Sequence, residues 1–162
     1  MASLRPATQA DLAAITAIYN EAIRNTTATF DTEEKSLDDR RAWLAGHGPR
    51  HPVIVAEQAG AVAGWGCLSP WSDRCAYADT CEDSVYVDAS SRGRGVGAAL
   101  LAELLRLARQ NGMHTVIARI ADGNPASEKL HCSAGFERVG VMREVGRKFG
   151  RLIGVQIWQR ML

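Results

Sequence analysis

The chain lacks any apolar run approaching the ~18 residues of a membrane-spanning helix. Its opening residues, Met1-Ala2-Ser3-Leu4-Arg5-Pro6, carry no hydrophobic signal core. A cytoplasmic protein without a membrane partner is the expectation. Charge of neither sign is in excess: 19 Lys and Arg stand against 18 Asp and Glu, which argues against a general nucleic-acid or membrane-surface binder. Cysteine is scarce and poorly placed for a metal. Cys67, Cys75, Cys81 and Cys132 are 8, 6 and 51 positions apart, with no C-x-x-C, so no metal site is expected. In a reducing compartment such cysteines are free thiols that pack. No repeat, low-complexity tract or linker interrupts the 162 residues, so one domain over 1–162 is expected.

The patterning predicts alternating elements. Ser3 to Arg5 reads as a short strand, and Thr8 caps a helix whose stripe is Leu12, Ile15, Ile18, Tyr19, Ala22 and Ile23. Asn25 to Thr32 is polar and Thr-rich, as in a loop. Ser36 opens a second helix that ends near Gly46-His47-Gly48-Pro49. Pro52–Gln58 and Ala61–Leu68 form a hairpin across Ala59-Gly60, and a loop from Pro70 to Ala78 precedes a strand from about Asp83 to Asp88. A helix from Gly97 to Asn111 puts Leu100, Leu101, Leu104, Leu105 and Ala108 on one face, and Gly112 stops it. Thr115–Ile120 is a β-branched strand. Asn124 caps a helix from Pro125 to about Ala134, and two final strands meet at Phe149-Gly150. This order implies an α/β domain on a mixed sheet with one parallel crossover.

Between an apolar strand and the long amphipathic helix stands Arg92-Gly93-Arg94-Gly95-Val96-Gly97. Glycine lets backbone N–H groups approach an anion, the helix start leaves its first N–H groups unpaired, and the macrodipole and arginines add positive charge. The ligand expected there is a nucleotide or coenzyme pyrophosphate; a plain tight turn is the alternative. A Walker loop is excluded because Ala98-Ala99 follows Gly97 where Lys-Ser/Thr is needed. A dinucleotide fingerprint is excluded by the Gly93-x-Gly95-x-Gly97 spacing and by the turn's place past mid-chain.

Two motifs together give the chain a resemblance to the GNAT acyltransferase superfamily. One is Arg92-x-x-Gly95-x-Gly97 after Ser84-Val85-Tyr86-Val87; the other is Asn124, Ala126 and Ser127 followed by Gly135-Phe136. Within it, the chain is similar to the phosphinothricin / methionine sulfoximine acetyltransferase branch. The stretches that carry this are Ile18-Tyr19-Asn20, Thr80-x-Glu82-x-Ser84-Val85-Tyr86-Val87, Asn124-x-Ala126-Ser127-x-x-Leu130-His131 and Val145-Gly146-x-Lys148-x-Gly150-Arg151. Gly154 departs from the Asp usual in that branch. The resemblance implies a GNAT fold, a mixed, mostly antiparallel sheet of about seven strands with four helices. It implies acetyl-CoA as co-substrate, no metal, a homodimer whose interface contributes to the site, and a small amine as partner. Phosphinothricin, methionine sulfoximine and methionine sulfone are the acceptors expected, acetylated on the α-amino group by direct transfer through a ternary complex.

Acetyl transfer needs a base for the amine proton, a donor for the carbonyl oxygen and a proton for the leaving sulfur. Glu82 stands where the family carries its base, and a solvated strand-end carboxylate is the alternative. His131 takes the helix position of the family's general acid. It lies four residues after Ser127, with Asn124 one turn above, and an interior histidine is the alternative. The resemblance assigns Arg92, Gly93, Arg94, Gly95, Val96, Gly97 and Ala98 to the pyrophosphate, and Asn124 and Ser127 to the coenzyme arm. The Val85-Tyr86-Val87 strand, splayed from Thr115–Ile120, is assigned to the pantetheine and the oxyanion. Arg74, beside Cys75 and Ala76, is placed to clamp a carboxylate, with Ser84, Val85 and Tyr86 also facing the acceptor. Lys129 is a candidate for a phosphate, and Trp71, Phe30 and Phe149 for the pocket wall, although such aromatics are more often core. Two other classes stay open: a GNAT enzyme for a different amine (another amino acid, a polyamine, an aminoglycoside or a protein N-terminus) and a coenzyme-binding regulatory domain without turnover.

Overall fold

The computed structural model describes residues 2–162, so that Met1 of the opening segment lies outside the described residues. The strands are β1 (Ser3–Pro6), β2 (Val53–Gln58), β3 (Ala61–Pro70), β4 (Thr80–Val87), β5 (Thr115–Ala121), β6 (Glu137–Lys148) and β7 (Arg151–Met161). They form one seven-stranded sheet in the order β1-β2-β3-β4-β5-β7-β6, parallel only between β4 and β5. The helices are α1 (Leu12–Asn25), α2 (Leu37–Ala45), α3 (Val96–Gln110) and α4 (Pro125–Ser133).

The helices cover both faces of the sheet. α3 lays Leu100, Leu101 and Leu104 against one face, together with Ile54, Leu68, Cys81, Val116 and, from α4, Leu130. Leu100, Leu101 and Leu104 are fully buried, and each contributes about 1.5–3 kcal/mol by leaving water. α1 and α2 cover the other face, where Ile15 and Ile18 meet Val53, Val55 and Trp65. Glycine lets α3 lie close: a Cβ on Gly66 would come within 2.9 Å of Leu104 Cδ1 and of the Ser84 carbonyl. Because side chains alternate along a strand, Gly64, Gly66 and Leu68 face α3 while Trp65 and Cys67 face α1.

Several boundaries differ from the sequence reading by a few residues, as where β3 runs on to Pro70. The strand expected from about Asp83 begins at Thr80, because Thr80, Cys81 and Glu82 pair in parallel with Thr115, Val116 and Ile117. Thr8 leads first into a single 3₁₀ turn, Gln9–Asp11, and only then into α1. The long helix starts at Val96, with Gly95 as its cap.

The feature that builds a site is a divergence of two strands. The β4–β5 ladder stops at Glu82↔Ile117, yet β4 continues beside β3 to Val87 and β5 continues beside β7 to Ala121. From Asp83 to Val87 the β5-facing edge of β4 therefore has no strand partner. Beyond the divergence, β6 and β7 form a long hairpin that bulges between Met142 and Gly146 and turns at Phe149-Gly150. Among the described residues, no helix is long and apolar enough to cross a membrane. Nor does any group of three or more His, Cys, Asp or Glu among them stand ready to hold a metal ion.

Candidate active site

Where β4 and β5 part, a cavity of about 1420 Å³ opens. One end is walled by the loop into α3: Arg92, Gly93, Gly95, Val96, Gly97 and Ala98 all line it, while Arg94 is exposed outside the lining. Gly95 has φ +81°, a left-handed conformation that a Cβ would strain, and it brings no side chain to cap α3. The first-turn N–H groups of α3 thus have no side-chain cap, and the positive end of its dipole stands at the cavity. Arg92 is braced: its Nη2 donates to Glu21 Oε2 of α1 at 2.7 Å and its Nε to the Val87 carbonyl at 3.2 Å.

The α4 wall holds Asn124, Ser127 and His131 in the expected column, all in the lining. Asn124 acts as the helix cap, its Oδ1 accepting from the Ser127 N–H at 3.2 Å. His131 is buried with both ring nitrogens engaged. Nδ1 lies 2.8 Å from the Ser127 carbonyl, 3.3 Å from Ser127 Oγ, and Nε2 lies 3.0 Å from Asp83 Oδ2. A carbonyl and a carboxylate only accept, so these contacts favour the protonated ring. Burial alone would lower the His131 pKa; the Asp83 hydrogen bond and charge outweigh it and raise it above the ordinary value.

Asp83 is itself almost wholly buried, with 1% of its side chain exposed, and it lines the cavity. Its second oxygen, Oδ1, has no hydrogen-bond partner. An unmatched buried carboxylate oxygen is costly, so a hydrogen-bond donor arriving in the cavity is favoured there. A long ligand carrying amides and a pyrophosphate fits this donor-hungry edge at one end and the uncapped α3 terminus at the other.

Across the sheet from Asp83, Glu82 faces the opposite side of β4 and is paired with Arg119 of β5 in a two-pronged bridge, Nε–Oε1 2.6 Å and Nη2–Oε2 2.8 Å. The Glu82 hydrogen bonds outweigh partial burial and raise the Arg119 pKa. Ser84 and Tyr86 follow on the Glu82 face, and both line the cavity, as does Val85 from the other face. Tyr86 stacks on Trp65 at 4.9 Å and meets Tyr19 edge-on at 5.1 Å. Burial pushes the Tyr86 hydroxyl far up and that of Tyr19 up to about 12, so neither ionises near neutrality.

The remaining wall comes from two segments distant in sequence. Phe30 of the α1–α2 loop packs on Gly146, where any Cβ would overlap its ring. Lys148, buried at the end of β6, donates to the Thr29 carbonyl at 2.7 Å and ties the hairpin to that loop. Phe30, Phe149 and Lys129 line the cavity, and Trp71 does not; its ring lies 5.9 Å from the Arg119 guanidinium. Arg74, Cys75 and Ala76 sit on an exposed 3₁₀ turn outside the lining formed by one chain.

Two residues of this site escaped the sequence reading. Asp83 adjoins Glu82, but only the packing of α4 on β4 reveals its partner. Arg119 did leave a signal, a lone charge inside the apolar run Val116-Ile117-Ala118-Arg119-Ile120. At Gly154 a Cβ would collide with the Asp122 carboxylate, so Asp122 occupies the space that a larger residue there would need. A second cavity of about 710 Å³ lies beside it, lined by Asp122, Arg143, Glu144 and Arg151.

Residues 15–136 match the Acetyltransferase (GNAT) family. The chain is 40% identical over 163 residues to a phosphinothricin N-acetyltransferase of Streptomyces coelicolor, an alignment covering 98% of this chain and 95% of the relative. It is 41% identical over 160 residues to an L-methionine sulfoximine/L-methionine sulfone acetyltransferase of Pseudomonas aeruginosa, covering 98% and 93%. Among solved structures it is similar to a Salmonella typhimurium acetyltransferase described with its cofactor acetyl-CoA, at a TM-score of 0.97 and 37% identity over 100% of this chain and 94% of that one. The chain belongs to the GNAT acetyltransferase family and is an N-acetyltransferase.

Proposed function

We propose that this enzyme uses acetyl-CoA to acetylate the α-amino group of a small amino-acid analogue of the phosphinothricin, methionine sulfoximine or methionine sulfone type, with both substrates bound at once. The observation that carries the reading is that the α3 loop and Glu82 line one continuous cavity at the β4–β5 divergence. The relatives' names supply the acceptor class.

The chain's residues divide the work. The Arg92–Ala98 segment holds the pyrophosphate with helix N–H groups and charge. The free edge of β4 from Asp83 to Val87 offers backbone groups to the coenzyme arm, in the manner of an added strand, and an N–H to the carbonyl oxygen. Asn124 and Ser127 flank that arm. When bound, the coenzyme supplies an acetyl thioester. Glu82, directly or through water, removes the proton from the amine as a C–N bond replaces the C–S bond. His131, whose protonated form Asp83 favours, stabilises the departing thiolate by its charge and is the candidate proton source for it. Ser84, Tyr86, Phe30 and Phe149 wall the acceptor, with Arg74, Cys75 and Ala76 at its rim.

A homodimer completes the acceptor end. β6 is an edge strand, and Met142, Val145 and Phe149 are exposed apolar side chains that also wall the cavity. A second copy is the occupant that covers them.

An amine panel with acetyl-CoA, read by thiol release, tests the reading. Turnover confined to sulfoximine, sulfone and phosphinothricin amino acids is the expected result. Turnover only on polyamines, aminoglycosides or peptide N-termini overturns the acceptor, and coenzyme binding without thiol release on any amine overturns the transfer itself.

A further inference from the structure

Arg119 lines the cavity beside Glu82, with its side chain 54% exposed against 15% for Glu82. Its guanidinium holds both Glu82 oxygens, in the fork geometry that a free carboxylate would also take. An ion pair with one partner half in solvent contributes little to stability, so exchanging one carboxylate for another is easy. Once Glu82 takes up a proton, the attraction holding Arg119 is lost and the cation needs a different anion. An acceptor with both an amine and a carboxylate brings that anion with it. The other arginine suggested for this task, Arg74, lies on an exposed turn outside the lining of one chain.

We propose that Arg119 is a specificity-determining residue that takes the acceptor's carboxylate and, by turning to it, frees Glu82 to receive the amine proton. This rests on the reading of Glu82 as base and of an amino acid as acceptor. No covalent bond changes in the exchange itself; the guanidinium trades one carboxylate for another. Glu82 then accepts one proton from nitrogen as the C–N bond forms, and the sulfur leaves with the C–S electron pair. An amine without a carboxylate leaves Arg119 on Glu82 and is a poor substrate for that reason, over and above its weaker binding.

The test compares L-methionine sulfone with 3-(methylsulfonyl)propylamine, the same molecule without its carboxylate, on wild type, Arg119→Gln, Arg119→Lys and Arg74→Gln. Arg119→Gln is expected to raise KM for the amino acid by about 10- to 100-fold. The propylamine is expected to lose far less than the amino acid, because it has no carboxylate for Arg119 to hold. Arg119→Lys should recover part of the amino-acid KM, since the charge remains and the fork is lost. An equal fall for both acceptors, or a carboxylate preference that disappears in Arg74→Gln and persists in Arg119→Gln, overturns the proposal. If wild type acetylates neither acceptor, the proposed function fails separately. Calorimetric binding of methionine sulfone then decides for Arg119: weaker binding to Arg119→Gln than to wild type supports it, and no difference overturns it.

Discussion

Glu82 and Asp83 are neighbours in sequence that strand alternation sends to opposite faces of β4, and their partners set their tasks. Glu82 meets a half-exposed arginine; Asp83 meets a buried histidine on the α4 side. Replacing Glu82 with Gln keeps the shape and removes the proposed base, so kcat/KM should fall by about 10²–10⁴-fold while calorimetry shows unchanged acetyl-CoA affinity. Asp83→Asn acts differently. The His131 pKa is raised in the folded state, so its pairing adds stability that is full below the unfolded value of about 6.5 and fades as pH rises through the higher folded value. Urea midpoints should show Asp83→Asn destabilised by roughly 3 kcal/mol on the acid side of that window and by less on the alkaline side. Glu82 was singled out by its motif and His131 by its helix position, and both line the cavity. The Asp83 contact was not legible, because a hydrogen bond between residues 48 apart in sequence leaves no local trace.

The α1–α2 loop and the β6–β7 hairpin meet through two contacts, Phe30 on Gly146 and Lys148 on the Thr29 carbonyl. Together they fix one wall of the cavity. Gly146→Ala should push the Phe30 ring aside, cost about 1–3 kcal/mol in thermal or urea unfolding, and raise KM for the acceptor more than for acetyl-CoA. The order and type of the helices and strands could be read from periodicity, since each presents one apolar face. Element ends were less legible. Thr80-Cys81-Glu82 is too short to declare itself by pattern and becomes strand because β5 lies alongside to take its hydrogen bonds.

The whole molecule is held at its start by Arg5, which bridges Asp11 and Glu57 and so joins β1, the 3₁₀ turn before α1, and β2. Chiefly through the Arg5 hydrogen bonds, against partial burial and with help from Thr8, the Asp11 pKa falls to about 2. Its stabilisation is therefore complete above the unfolded value near 4 and disappears as pH falls through about 2. Asp11→Asn should cost about 2 kcal/mol at neutral pH, with the difference from wild type closing in acid unfolding below that range. At the far edge of the sheet, the apolar residues of β6 and β7 should be covered in a dimer. Sedimentation equilibrium should give twice the chain mass, and Val145→Glu should return it to one chain and weaken acceptor turnover.

Two short motifs carried the resemblance to the family, and periodicity and turn residues determined the order of helices and strands and the loop that carries the glycines, because each depends on residues close together in the chain. Folding settled the rest. Where β4 leaves β5, which helix backs Asp83, how Phe30 reaches Gly146 and which arginine faces Glu82 depend on segments far apart in sequence brought into register. Such contacts are set by packing and sheet order, and no local pattern encodes them.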